Sequence, residues 1–97
     1  MTHEEIVKEF FRLERNLKDR SNKLIEKGLA IDEIKEKLNK NMQVFTDFAY
    51  ANEEIIGNAL KGKVKEMIDD EKLKPKDVIF LYLLFSNFNP TEFKHNQ

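Results

Sequence analysis

Enzymatic chemistry needs a few reactive side chains held close together, and this sequence carries few candidates. Its two histidines, His3 and His95, stand near opposite ends of a 97-residue chain, and it has no cysteine. Thiol nucleophiles, disulfides and cysteine-ligated zinc are therefore excluded. Glu92 and His95 have the Glu-x-x-His spacing of di-metal helical bundles. Such centres need two of these pairs plus two more inward-facing glutamates, and one pair does not complete a site. His3-Glu4-Glu5 lacks the second histidine of a zinc-protease helix. Ser21, Thr46 and Ser86 have no histidine near them in sequence to act as base. The stretch from Gly57 to Gly62 lacks the Gly-Lys-Ser/Thr ending of a phosphate loop. No catalytic, cofactor-binding or metal-binding residue is assigned, and the expectation is a protein that is not an enzyme.

Nucleic-acid binding is the next class to weigh. Gly28-Leu29-Ala30-Ile31-Asp32-Glu33-Ile34 resembles the corner and helix start of helix-turn-helix domains, where glycine permits the sharp turn. The helix that follows would expose Lys35, Glu36, Lys37, Asn39 and Lys40, a mixed set poorly suited to a phosphate-lined groove. Lys61, Lys63, Lys65, Lys72, Lys74 and Lys76 form a second basic group, interrupted by Glu66, Asp69, Asp70 and Glu71. With 17 basic against 18 acidic residues, the chain has no positive excess for a DNA backbone. A small DNA-binding regulator using the helix after Gly28 is the alternative reading. A membrane role is not expected. The longest apolar run, Val78 to Phe85, is eight residues, against the roughly 20 a bilayer requires. The N-terminus also lacks the basic-then-apolar pattern of a signal peptide. The lysine- and asparagine-rich composition fits a cytoplasmic bacterial or phage protein.

The elements that position these residues are helical. Apolar residues make up 40% of the chain and charged residues 36%, with three glycines and two prolines. That combination favours amphipathic helices over an all-β chain with frequent turns. Thr2 with Glu5 reads as a capping box. Ile6, Phe10, Leu13, Leu17 and Leu24 continue at helical spacing to a stop at Gly28. The first helix is placed at 3–27. A second follows at 32–51, capped by Asp32, with Ile34, Leu38, Phe45 and Phe48 on its core face. A third is placed at 53–70 with Ile56, Leu60 and Val64, and a fourth at 76–88 with Ile79, Leu83 and Leu84. Helices two and three either break near Asn52 or run on as one long helix. Residues 89–97 are read as a tail to a single domain spanning 1–97.

The fold expectation is thus an all-α antiparallel bundle of four helices, and its functional lead is apolar surplus. Ten aromatic residues are a large load for so small a core. Phe11, Tyr50, Tyr82 and Phe88 are the candidate partner-binding residues, with Phe11 and Tyr82 lying off the centres of their helices' core faces. An aromatic patch left at the surface of a helical protein marks a partner site. The expected function is a non-enzymatic protein–protein interaction module, a small regulator or adaptor. Its expected partners are a second copy, as a homodimer, another protein, or both. Small bacteriocin-immunity proteins are similar in length and four-helix shape, without a shared motif, and an immunity-like role is a special case of this reading.

Overall fold

Thr2 and Glu5 begin the structure as their spacing dictates. The Thr2 hydroxyl accepts from the Glu5 amide at 3.1 Å, and the Glu5 carboxylate accepts from the Thr2 amide at 3.0 Å. These bonds also hold the exposed Glu5 carboxyl below its usual pKa. The computed structural model describes residues 1–86, so the tail and Phe88 lie outside the described residues. Four helices follow one another: α1 (His3–Glu26), α2 (Ile31–Ala51), α3 (Glu53–Lys65) and α4 (Pro75–Phe85). There is no strand among the described residues, and the fold is an all-α helical bundle. At 24 residues α1 is about 36 Å long, close to the 41 Å long axis of the molecule.

The breaks between helices follow local chemistry. Gly28 takes the left-handed conformation, φ 77°, and its amide bonds to the Ile25 carbonyl at 2.9 Å. Ala30, not Asp32, occupies the N-cap of α2; Asp32 lies inside the first turn, where its charge faces the positive helix end. Asn52 separates α2 from α3 with φ −118° and ψ 37°, so the broken alternative is the observed one. The third helix ends at Lys65, five residues before its expected end. Met67 and Ile68, which continue the apolar spacing, are exposed, so no burial rewards extension toward the acids Asp69–Glu71. Pro75 is the first residue of α4, and Ser86 ends it three residues short of the expected Phe88.

Packing is closest within two helical hairpins, α1 with α2 and α3 with α4, and the hairpins meet through α1 against α3 and α2 against α4. Gly57 makes the α3–α4 approach feasible: a Cβ there would lie 2.6 Å from the Pro75 Cα. The core holds Phe10, Met42, Phe45, Ile56, Leu60 and Ile79 among its most enclosed residues. Three expected core residues, Leu13, Phe48 and Leu84, are only half-buried. Leu13 is displaced because the inward stripe of α1 passes through Ile6, Phe10, Glu14 and Leu17 instead. Phe48 and Leu84 lie at the rims of their helices' buried faces, beside the fully enclosed Ala49 and Leu83. No described helix is long and apolar enough to cross a membrane.

Candidate interaction surface

The last helix, Pro-Lys-Asp-Val-Ile-Phe-Leu-Tyr-Leu-Leu-Phe, is apolar on every side after its first turn. A helix of that composition ordinarily lies fully inside a protein. Here it does not. Val78, Ile79 and Leu83 face inward and are buried. Phe80 and Phe85 are 38% and 43% exposed, with Leu81 and Leu84 half-buried between them. Phe80 with Leu84 and Leu81 with Phe85 are i,i+4 neighbours, so the four residues form one continuous outer face.

Tyr50 stands beside this face. It lines an open cleft of about 490 Å³ with Glu53, Lys76, Asp77 and Phe80. Partial burial, then the nearby Asp77 charge, raise the pKa of its hydroxyl. Aromatic floor and mixed-charge rim together give a surface able to accept an apolar side chain flanked by polar contacts.

The other candidates point elsewhere. Tyr82 turns inward toward α1, where its hydroxyl contacts both Glu14 carboxylate oxygens, at 2.9 and 2.8 Å, and its ring lies 5.8 Å from Phe10. Burial, followed by the bond to Glu14 and the Glu14 charge, pushes the Tyr82 pKa well above the ordinary phenol range. Glu14 is only 6% exposed, the one buried charged residue among those described, with Lys18 Nζ 3.9 Å from its Oε2. Phe11 is half-buried, edge-on to Phe10 at 5.3 Å, with Lys63 Nζ 4.7 Å from its ring centroid. Phe11 and Tyr82 thus flank the same Phe10 ring, while Tyr50 lines the cleft beside Phe80. The residues that sequence reasoning passed over are Phe80, Phe85 and Glu14.

A larger open cleft of about 970 Å³ separates the start of α1 from the α2–α3 joint. Val7, Ala51 and Ile55 line it between charged residues that include Glu4, Lys8, Glu53 and Glu54. Glu4 and Lys8 pair with each other at 3.4 Å, leaving a screened surface of mixed sign. No group of three or more histidine and acidic side chains suited to a metal occurs among the described residues. The Glu92–His95 pair lies outside them.

Comparison with known proteins adds no function to this surface: no family model, curated protein or solved structure matches the chain.

Proposed function

We propose that this chain is a non-enzymatic protein-interaction module, a cytoplasmic regulator or adaptor of a bacterial or phage system. It acts by presenting the outer face of α4 to another protein, and it also associates with itself. The observation that carries the reading is the exposure of Phe80 and Phe85 on a helix with no polar outer side. Large aromatic side chains at the surface are the residue type from which interface hot spots are built. Tyr50 extends the face across the adjoining cleft, and Glu53, Lys76 and Asp77 supply a polar rim. Phe11 and Tyr82 act from within, holding α1 against the α3–α4 hairpin. An immunity-like role is one form this activity takes.

The test is capture from the source cell with wild type and the double variant Phe80→Ser/Phe85→Ser. Exposed positions tolerate such changes with little loss of stability, so helicity should be retained. The expected result is one protein partner recovered with wild type and lost with the variant. A parallel titration against duplex DNA separates the classes: tight binding that weakens steeply with salt would favour a DNA-binding regulator instead.

A further inference from the structure

We propose that Asn52 is the hinge of an exchange dimer, in which the α3–α4 hairpin of each chain packs onto the α1–α2 hairpin of a second copy. The inference takes the self-association part of the reading above and gives it a geometry; it does not depend on the α4 outer face.

Three observations carry it. The connection between the hairpins is a single residue, whereas the turns within them run over 27–30 and 66–74. Nothing at that connection enforces a bend. Asn52 is neither glycine nor proline, no side chain caps the start of α3, and helical hydrogen bonds run up to it on both sides. The Asn52 amide bonds to the Phe48 carbonyl at 3.2 Å, and the Ile56 amide bonds to the Asn52 carbonyl at 3.0 Å. The break is assisted only by the Asn52 side chain, whose Nδ2 donates to the same Phe48 carbonyl at 2.9 Å. Rotating this one residue into the helical region joins α2 to α3 and supplies partners for the orphan amides and carbonyls at the break.

Straightening must open the chain. A single helix from residue 31 to 65 would be about 52 Å long, more than the 41 Å long axis of the folded molecule. The two hairpins then separate and expose the seam between them. That seam includes Tyr82 against Glu14 and Phe10, and Lys63 against Phe11. The occupant that fits it is already defined, because a second opened copy presents the same hairpin with the same side chains. Exchange restores the contacts between the hairpins away from the hinge, gives up those of the bent Asn52 joint, and adds the continuous helix. Short connections of this kind are where domain exchange arises.

The experiment combines sedimentation with cross-linking between chains. Wild type is expected to form a dimer that grows with concentration up to about 100 μM. Asn52→Ala raises helix propensity at two hinges per dimer and should tighten association roughly tenfold. Inserting Gly-Gly-Ser after Asn52 should return the protein to a monomer, since the longer flexible link lets each chain close on itself. Lys8 and Asn58 are exposed residues lining one cleft between α1 and α3, and the chain has no native cysteine. Lys8→Cys and Asn58→Cys chains, refolded together and treated with a bismaleimide, should give a covalent heterodimer. A wild type that is monomeric at about 100 μM overturns the proposal, as does Asn52→Ala without tighter association. A dimer whose mixed single-cysteine chains fail to cross-link also overturns exchange while leaving ordinary face-to-face association standing. Loss of partner capture by the Phe80/Phe85 variant bears only on the α4 face.

Discussion

Removing the Tyr82 hydroxyl probes the one buried charged residue described in this fold. Phenylalanine keeps the ring beside Phe10, so Tyr82→Phe removes the donor to Glu14, with the hydroxyl's bond to Ser86, and leaves aromatic packing in place. Glu14 is then a 6%-exposed carboxyl whose remaining cation, Lys18, stands at 3.9 Å and reaches only one oxygen. An acceptor stranded in this way costs about 1–3 kcal/mol. In a domain of this size each kcal/mol lowers Tm by about 4–8 °C. Glu14→Leu works from the other side. It removes the buried charge, and the hydroxyl of the half-buried Tyr82 that remains keeps Ser86 as a partner, so the loss is smaller. The double variant Glu14→Leu/Tyr82→Phe replaces the polar pair with apolar groups and should recover wild-type stability or exceed it. Urea unfolding followed by circular dichroism at 222 nm measures all four corners of this cycle. The coupling is expected at about 0.5–3 kcal/mol. Tyr82→Phe within about 0.5 kcal/mol of wild type, the range of ordinary surface changes, would refute the reasoning. A double variant no more stable than Tyr82→Phe alone would refute it too.

The same pair predicts alkaline sensitivity. The folded pKa of Tyr82 lies above its unfolded value of about 10, so its contribution is complete below that pH and is lost as pH rises toward the folded value. Urea midpoints should fall above about pH 10, and less steeply in Tyr82→Phe; equal slopes would contradict this. Two glycines in α3 should respond in opposite directions. Gly62→Ala meets open space and should stabilise by about 1 kcal/mol. Gly57→Ala drives a methyl group into the Pro75 backbone at 2.6 Å and should destabilise; thermal melts that shift both variants the same way would refute the α3–α4 packing described.

Much of the segmentation was legible because turns carry local signals. Thr2, Gly28 and Pro75 each mark a helix boundary through their own side-chain or backbone chemistry, whereas the sequence at Asn52 left a break and a continuous helix both open. The end of α3 was not legible, because Met67 and Ile68 keep apolar spacing, yet the helix stops before them, leaving Met67 64% exposed and Ile68 only partly covered beside Val64, Leu73 and Val78. Glu14 was missed for a related reason. A glutamate beside Leu13 reads as solvent-facing, and the hydroxyl that bonds it in its buried position belongs to a tyrosine 68 residues away. The exposed outer face of α4 was hidden differently. A helix apolar all round has no phase, so spacing could not say whether Phe80 or Tyr82 points outward. Tertiary packing decides it: Tyr82 turns toward Glu14, and Phe80 and Phe85 are left outside.

The α4 face is tested most directly by placing a photo-cross-linker on it in the living source cell. With p-benzoylphenylalanine at position 80 or 85, irradiation should give a discrete heavier product containing a protein partner. The same group at the exposed Glu36 on α2 should give none. No product from either α4 position, or the same product from position 36, would contradict the assignment of this face as the interaction surface.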